Sequence, residues 1–395
     1  MTVGGPLIAR MAATTMITAA MFVAGAGISD AAPIGVTVLP RPVGQSPVGT
    51  TTLHLVDQGR TDPFQTDRAR ELMVSVFYPA SEVDRHPRAR YLSTQLMTDL
   101  DKSIGVQLPG VFTNSYTDAP ALAGASYPVV LYSPGAGVSR LFGTGLAEDL
   151  ASRGFVVVTM DPTYETSPGV EFPGGRIVQP APQPDGFTTE LRTKYIDTRL
   201  LDSGFVLDSL TRLASGENPD AEHRALPVGL GGALDLNRIG TVGHSSGGYV
   251  AVESMHEDHR ISAAVDLDGQ LGVDEAFGRT VTEGEDRPVL VMTSKQIEEV
   301  GDANPSLEAF WQRSTGWKRQ VTLRDSAHYD FTDMPLLVPS VARAAASRYL
   351  GPISADRGAS LVHTYVAAMF DKFLRGRPDT VLENPPAEAE LAQLR

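Results

Sequence analysis

The chain has 395 residues, of which 42% are hydrophobic and 20% are charged, and its formal net charge is −14 at pH 7. A chain of this length and composition buries one large core or two small ones. Its acidity argues against a nucleic-acid partner and against tight binding to an anionic membrane surface. Because the sequence contains no cysteine, a disulfide framework, a thiolate nucleophile and a cysteine-type zinc site are excluded.

The first 31 residues predict a secretory signal peptide that is cleaved near Ala31. Arg10 supplies a positive charge, residues 11–28 form an apolar core rich in small residues, and Ser29 and Ala31 give the small-x-small pattern of a cleavage site. A membrane anchor is the alternative, but the stretch is short for a span, and no later segment reaches the roughly 18 apolar residues that a span needs. We therefore expect a secreted, extracellular protein without stable membrane insertion.

Apolar, β-rich runs alternate with helical patterns after a Pro- and Gly-rich, extended segment at residues 32–50. The eight runs predicted as strands are residues 51–56, 71–78, 128–132, 155–160, 238–242, 261–267, 288–292 and 321–323. The predicted helices are residues 143–153, 190–213, the segment after Gly248, 306–317 and 355–374. Several strands are nearly continuous Val, Ile and Leu, which is typical of strands buried on both faces of a parallel sheet. The alternation predicts an α/β fold with a mostly parallel, doubly wound sheet of eight strands and helices on both faces.

Three segments fall outside this alternation. Residues 165–186 are rich in Pro and Gly, and such a long loop is either a lid or substrate rim or ordinary surface decoration. Residues 217–233 form a polar, Gly-rich excursion. Residues 379–395 form an acidic tail, within which residues 387–394 have the pattern of a turn or two of helix. We therefore expect a single domain over residues 51–378.

Gly243, His244, Ser245, Ser246 and Gly247 form a G-x-S-x-G pattern between a predicted strand and a predicted helix. In a nucleophile elbow this spacing holds a serine hydroxyl on a sharp strand-to-helix turn, clear of the backbone. The glycines are needed because a Cβ there would collide with the neighbouring strand and helix. The pattern alone is weak in a Gly-rich chain, but the flanking strand and helix give it the required context. We therefore expect Ser245 to be the nucleophile of an α/β-hydrolase fold.

A serine nucleophile needs a histidine base and a carboxylate that orients this base. In the α/β-hydrolase order the acid follows the serine and the histidine follows the acid. Of the eight histidines, His328 and His363 lie late enough in the chain. His363 falls within a helical pattern and is better explained as structural, whereas His328 follows the last predicted strand. We expect His328 to be the general base.

Two aspartates, Asp266 and Asp268, end the strand that follows the elbow. Because successive side chains of a strand alternate between faces, only one of the two can point at the histidine. Asp268 stands at the tip of the strand and precedes a glycine, so it is the preferred acid and Asp266 is the alternative. An Asp-Gly turn is the structural interpretation of the same residue, and Asp268 can serve both purposes.

An oxyanion hole needs preorganised N–H donors aimed at the position where negative charge develops. The amide of Ser246, at the start of the predicted helix, is one candidate. The other comes from residues 133–137, where a proline followed by Gly-x-Gly bends the backbone so that an amide can face inward. Ala136 is the candidate in this loop, and a plain Gly-rich turn is the alternative interpretation.

Taken together, these motifs resemble those of secreted actinobacterial α/β-hydrolases of the platelet-activating-factor acetylhydrolase type, the group similar to the plasma enzyme. The resemblance rests on residues 47–51, 70–79, 133–137 and 146–154, the elbow, Leu267 with Asp268, and residues 326–328. In that family the acid follows the strand after the elbow, which corresponds to Asp268, and the oxyanion donors correspond to Ala136 and Ser246. Pro134 is a departure, because family members often carry histidine there, and it is expected to affect the shape of the acyl pocket.

The resemblance implies hydrolysis of carboxylic esters, with short or oxidised sn-2 acyl groups on phospholipids as one substrate class. The leading hypothesis is a secreted serine esterase that acts on a small-molecule or lipid ester and uses neither a metal nor another cofactor. A lipase or cutinase-like polyester hydrolase is the alternative, although the long excursions and the lack of cysteine count against a cutinase. An exported peptidase is a weaker hypothesis, and an intact serine, acid and histidine in the right order argue against a catalytically inactive binding module.

Overall fold

The computed structural model describes residues 37–104, 110–183, 185–274, 276–295, 305–338, 346–378, 381–383 and 391–394. The predicted signal peptide, residues 1–31, lies outside the described residues. Within the described ranges, no helix is both long enough and apolar enough to cross a membrane.

Strands and helices alternate along most of the described chain. The strands are β1 (Thr37–Val38), β2 (Val48–Thr61), β3 (Ala69–Pro79), β4 (Arg88–Arg90), β5 (Val111–Thr117), β6 (Tyr127–Ser133), β7 (Val156–Met160), β8 (Val170–Phe172), β9 (Arg176–Val178), β10 (Leu234–His244), β11 (Ile261–Leu267), β12 (Gly272–Val273), β13 (Ala276–Phe277), β14 (Val289–Ser294), β15 (Lys318–Leu323) and β16 (Leu391–Leu394). The helices are α1 (Thr94–Ile104), α2 (Thr144–Ser152), α3 (Thr189–Ala214), α4 (Ser246–Glu257), α5 (Arg279–Glu283), α6 (Pro305–Arg313), α7 (Met334–Leu337) and α8 (Ala355–Arg375).

One large mixed sheet organises the molecule. Its strand order is β1-β5-β2-β3-β7-β6-β10-β11-β14-β15-β16, with β4 paired to β5. The six strands from β7 to β15 in this order run parallel to one another, whereas β3 is antiparallel to both β2 and β7. The carboxyl ends of β6, β10, β11 and β15 therefore lie on the same side of the molecule. The predicted site residues lie in or just after the turns that follow these strands.

All eight predicted strands are present, and they occupy adjacent positions from β2 to β15. The part of the sheet that the structure describes has twelve strands rather than eight, because β1, β4 and β5 extend one edge and β16 extends the other. Strand β5 gives no apolar run because its buried positions alternate with half-exposed ones and include Thr113 and Ser115. Strand β2 begins at Val48, so the end of the segment 32–50 belongs to the sheet.

Two segments expected to be loop or tail contain paired strands. Within residues 165–186, β8 and β9 pair in an antiparallel hairpin. In the tail, Leu391–Leu394 is a strand antiparallel to β15 and not part of the helix expected over residues 387–394. Residues 384–390 lie outside the described ranges. Because an edge strand leaves backbone N–H and C=O groups unpaired, β16 supplies hydrogen-bond partners that β15 would otherwise lack.

Apolar side chains form a core on each face of the sheet. Along β6, Val129 and Leu131 belong to one core, and Val130 and Tyr132 belong to the other, as the alternation of strand side chains requires. Helices α3, α4 and α6 cover the first core, and α2 and α8 cover the second. Since both faces are covered, the central strands are nearly continuous in apolar residues, and the predicted layering is confirmed.

Candidate active site

Ser245 lies on the turn between β10 and α4, at the carboxyl end of a central strand. Its backbone has φ 56° and ψ −124°, and a residue other than glycine held in such a sparsely populated region is strained by about 1–3 kcal/mol. The Ser245 N–H donates to Leu267 O at 2.8 Å, which ties the turn to the end of β11. Ser245 is partly exposed, as a nucleophile must be to meet its substrate.

Two glycines allow this turn to pack closely. A Cβ on Gly243 would lie 2.0 Å from the carbonyl oxygen of Gly247. A Cβ on Gly247 would lie 2.0 Å from the carbonyl oxygen of Ser133, the last residue of β6. Both oxygens belong to regular secondary structure and cannot easily move away, so the G-x-S-x-G spacing reflects real collisions with backbone atoms.

His328 and Asp268 form a close pair. His328 begins a 3-10 turn shortly after β15, and its Nδ1 lies 2.7 Å from Asp268 Oδ2. Asp268 directly follows β11 and is buried, and its carboxylate also accepts hydrogen bonds from Ser294 N–H at 2.5 Å and Ser294 Oγ–H at 3.0 Å. An imidazole that donates Nδ1–H to a carboxylate presents Nε2 as its basic nitrogen.

Asp266, the alternative acid, lies beneath the elbow. Its Oδ1 accepts the Gly269 N–H at 2.9 Å, and a Cβ on Gly248 would lie 1.8 Å from this oxygen. Complete burial, together with the neighbouring Asp268, raises the pKa of Asp266 well above its usual range. The structure thus brings Asp268, and not Asp266, into contact with His328.

His244 links the elbow to the loop that carries His328. Burial holds the pKa of His244 well below its usual range, so the ring is neutral. Its Nε2–H donates to the His328 carbonyl oxygen at 2.8 Å, and the two imidazole rings are 4.5 Å apart. Because His244 immediately precedes Ser245, this contact places His328 beside the elbow. His363, the other late histidine, lies in α8 near α2, and desolvation lowers its pKa to about 4.

A buried ion pair holds the loop that follows β6. Arg199, on α3, donates from Nη1 to Pro134 O at 2.5 Å and from Nη2 to Gly135 O at 3.0 Å. Glu165 accepts from Arg199 Nη2 at 2.6 Å and from the Gly137 N–H at 3.2 Å. The carbonyls of two successive loop residues and the amide of a third are therefore fixed by one pair of side chains.

The same loop approaches the elbow through Gly135. An ideal Cβ on Gly135 would lie 2.9 Å from His244 Nδ1 and 3.4 Å from Ser245 Cβ. Among the described residues, the Ala136 N–H has no hydrogen-bond partner. Ser246 is the first residue of α4, where amides have no acceptor inside the helix. The two predicted oxyanion residues therefore lie on the two segments that adjoin Ser245.

Most of the chain matches one known protein family. The model of the family described as platelet-activating factor acetylhydrolase, isoform II, matches residues 35–167 and 175–370. The chain belongs to this acetylhydrolase family. The two matched blocks include Ser245, Asp268, His328 and Ala136.

Relatives of this acetylhydrolase-family chain are esterases. It is 26% identical to a probable 1-alkyl-2-acetylglycerophosphocholine esterase of Arthroderma benhamiae, over 89% of this chain and 92% of the relative. It is 22% identical to the platelet-activating factor acetylhydrolase of Cavia porcellus, over 86% of this chain and 79% of the relative. Among solved structures it is similar to a ferulic acid esterase from Streptomyces cinnamoneus, with a TM-score of 0.74 and 36% identity, over 89% of this chain and 97% of that chain. The chain is therefore a carboxylic-ester hydrolase with the predicted α/β-hydrolase fold.

The first residues of the excursion over residues 165–186 contact the loop after β6. Ser167 N–H donates to Gly137 O at 3.0 Å. Glu165, two residues earlier in the chain, accepts the Gly137 N–H with its carboxylate. The family match pauses between residues 167 and 175, so β8 lies in a segment outside the matched blocks. In this acetylhydrolase-family chain, the residues that lead into the β8–β9 hairpin thus contact the loop beside the candidate site.

Sequence reasoning missed the Glu165–Arg199 pair and the part played by His244. Arg199 is separated from Glu165 by 34 residues and from Pro134 by 65 residues, so no local pattern reveals these contacts. One signal was available: Arg199 occupies the buried stripe of α3 together with Ile196 and Val206. A charged residue on the buried stripe of a helix needs a partner. The partner of Arg199 is Glu165, and both residues bind the loop after β6.

Proposed function

We propose that this chain is a secreted serine esterase in which Ser245, His328 and Asp268 form a catalytic triad. The observation that carries the proposal is the 2.7 Å contact between His328 Nδ1 and Asp268 Oδ2, at an elbow that holds Ser245 at a positive φ of 56°. Membership of an acetylhydrolase family supplies the bond type, a carboxylic ester.

In the acylation step, Ser245 Oγ attacks the ester carbonyl carbon while His328 Nε2 accepts the hydroxyl proton. The carbonyl π electrons move to oxygen, and the N–H groups of Ala136 and Ser246 donate to this oxyanion. Asp268 stabilises the imidazolium that forms at His328. Collapse of the tetrahedral intermediate breaks the bond to the alcohol, which leaves with the proton from His328 Nε2.

Deacylation repeats these steps with water. His328 Nε2 accepts a proton from the water molecule as its oxygen attacks the acyl carbon, and the same two amides stabilise the second oxyanion. When this intermediate collapses, Ser245 Oγ leaves as the acyl group departs as a carboxylic acid, and the proton returns from His328 to Ser245. The net reaction is the addition of water across the ester bond.

Short acyl groups, including the sn-2 acetyl group of an alkyl phospholipid, are the proposed substrates. The Arthroderma and Cavia relatives carry that specificity in their names. Aromatic acyl esters are the second candidate, because a ferulic acid esterase shares 36% identity with this chain. Long-chain lipids and polyesters are the alternative class.

The test is a substrate series run with the wild-type protein and with Ser245→Ala. The series contains p-nitrophenyl esters from acetate to palmitate, methyl ferulate and a 1-alkyl-2-acetyl-glycerophosphocholine. We expect turnover of the short acyl esters, and a loss on the order of 10⁴- to 10⁶-fold in kcat in Ser245→Ala. A preference for palmitate would move the assignment to a lipase, and a preference for ferulate would favour the aromatic class. Ester hydrolysis that survives in Ser245→Ala would contradict the triad.

Secretion is proposed from the signal-like residues 1–31. When the full chain is expressed in a bacterial host that exports proteins, we expect it in the medium with Ala32 at its N-terminus. N-terminal sequencing of the recovered protein measures this. A protein that stays in the cells and keeps residues 1–31 would contradict the proposal.

A further inference from the structure

Arg199 and Glu165 are buried beside the candidate active site. Their side chains are 4% and 3% exposed, and the guanidinium binds the carboxylate through two bonds, Nε to Oε2 at 2.9 Å and Nη2 to Oε1 at 2.6 Å. Removing two charges from water is unfavourable, and apolar side chains often fill such a position with equal or better stability. Stability alone therefore does not explain this ion pair, and its hydrogen bonds to other groups indicate its function.

These hydrogen bonds to other groups fix the orientation of two peptide groups. The carbonyls of Pro134 and Gly135 both accept from Arg199. In a trans peptide the C=O and N–H bonds point in opposite directions, so the N–H groups of Gly135 and Ala136 both point away from Arg199. Successive N–H groups that point the same way form a concave anion-binding site.

Glu165 fixes the far end of the same short segment. Its Oε1 accepts the Gly137 N–H, and Gly137 has a positive φ of 68°. The amide of Ala136 lies between the carbonyls held by Arg199 and the amide held by Glu165, and it has no acceptor among the described residues. The segment therefore presents Ala136 N–H without leaving it free to rotate.

We propose that Arg199, oriented by Glu165, is a positioning residue for the oxyanion hole. It does not touch the substrate, and it acts through the two peptide groups that aim Ala136 N–H at the oxyanion formed on Ser245 attack. The inference rests on the proposed serine esterase function. It assigns to a residue of α3 an effect on the stability of the transition state.

Three variants of the Arg199–Glu165 pair test the inference. Arg199→Met removes every donor but leaves the Glu165 charge buried and unpaired, which can impair folding. The double variant Arg199→Met/Glu165→Met removes both charges and keeps apolar volume, so it separates orientation from burial of a lone charge. Arg199→Lys keeps a positive charge and fewer donors.

The chain also offers a matched control in Arg375. Its guanidinium binds the successive carbonyls of Arg153 and Gly154 and the carboxylate of Asp371. These two carbonyls lie just before β7 and so at the opposite end of the parallel strands from Ser245. Arg375→Met therefore removes the same kind of contact away from the elbow. Thermal unfolding of each variant sets a temperature at which all of them are folded.

We expect kcat for p-nitrophenyl acetate to fall about 10- to 100-fold in Arg199→Met and in the double variant, because an oxyanion donor is misdirected. KM should change by less than about threefold, and Arg199→Lys should recover part of kcat. An alkyl boronic acid forms a tetrahedral, anionic adduct with a serine, so its affinity should fall by the same factor as kcat/KM. Arg375→Met should keep kcat within about twofold of the wild type.

A folded double variant with the kcat and boronate affinity of the wild type would overturn the inference. A loss of kcat in Arg375→Met equal to that in Arg199→Met would overturn it as well, because the effect would then follow general stability. Failure of the proposed function looks different: the wild-type protein would not hydrolyse the ester, or Ser245→Ala would hydrolyse it equally fast.

Discussion

Ser245 and Asp268 are fixed relative to each other by one strand end. The Leu267 carbonyl accepts the Ser245 N–H, and the next residue is Asp268. Asp268 also has a positive φ, of 60°. The end of β11 thus binds Ser245 and leads directly into Asp268, so contacts of one segment offset the backbone strain at both residues.

The two aspartates of that strand end should differ in their effect on catalysis. Asp268→Asn should lower kcat about 10³- to 10⁴-fold, because an amide does not hold His328 in the tautomer with a proton on Nδ1. Asp266→Asn keeps a carbonyl acceptor for the Gly269 N–H and should leave kcat within about threefold. Both changes in kcat are to be measured with p-nitrophenyl acetate as the substrate. The reverse order of effects would assign the acid to Asp266.

The three residues proposed as the triad were predictable from the sequence, and the Glu165–Arg199 pair was not. Ser245 lies in a motif, and chain order with strand position then leads to Asp268 and His328. Glu165 and Arg199 carry no motif, because their effect depends on tertiary contacts with backbone carbonyls of another segment. Backbone groups look alike in every sequence, so a contact to them has no sequence pattern.

At the level of elements, apolar runs identify strands that are buried on both faces. These runs predicted all eight strands from β2 to β15 and missed the four outer strands, β1, β4, β5 and β16. Strands β1, β4 and β16 have only two to four residues, and β5 has polar residues at positions that a central strand fills with Val, Ile or Leu. Strands β8 and β9 were missed because each has only three residues and lies within a Pro- and Gly-rich segment.

Helix α3 contains a glycine that serves no visible steric purpose. A Cβ on Gly204 meets no atom within 4 Å. Since glycine is the least favourable residue in a helix interior apart from proline, Gly204→Ala should raise the free energy of unfolding by about 0.5–1 kcal/mol. Urea unfolding measures the change, and kcat should stay the same. A decrease in stability would show that the helix is strained or tightly packed at this position.

Gly247→Ala is the contrasting variant. Its new Cβ would lie 2.0 Å from Ser133 O and 2.5 Å from Pro134 O, so it would push the elbow away from the loop after β6. We expect this variant to lose both stability and activity, in contrast to Gly204→Ala.

At the level of the whole molecule, the site is assembled from the ends of several parallel strands. Ser245 follows β10, Asp268 follows β11, His328 follows β15, and the 134–137 loop follows β6. Cores on both faces of the sheet hold these strands in register, so the site depends on global packing. Stability of the whole fold is therefore a condition for catalysis, and it is expected to depend on pH through buried carboxyl groups.

Asp333 is one such group, in the segment that follows His328. Its carboxyl group accepts the Gly145 N–H at 2.9 Å and the Tyr91 hydroxyl at 3.1 Å, and burial raises its pKa to about 8. Between about pH 4 and pH 8 the folded state therefore binds a proton that the unfolded state has released. This group makes the free energy of unfolding fall as the pH rises through that range.

Asp333→Asn should remove this contribution, because the amide does not titrate and still offers a carbonyl oxygen to Gly145. Relative to the wild type, the variant should gain stability as the pH rises from about 4 to about 8. Urea unfolding at several pH values measures the difference, and Asp84→Asn, at an exposed position, is a control for the change in net charge. A constant difference between Asp333→Asn and the wild type across this range would contradict the prediction.

The attachment site of a serine-directed reagent tests the assignment of Ser245 as nucleophile most directly. The protein is treated with a fluorophosphonate, digested and mapped by mass spectrometry while residual ester hydrolysis is measured. We predict one phosphonyl group on the peptide that contains Ser245, with activity lost in the same proportion, and slower labelling of His328→Ala. An active protein that is not labelled, or one labelled at a different residue as its activity falls, would contradict the assignment.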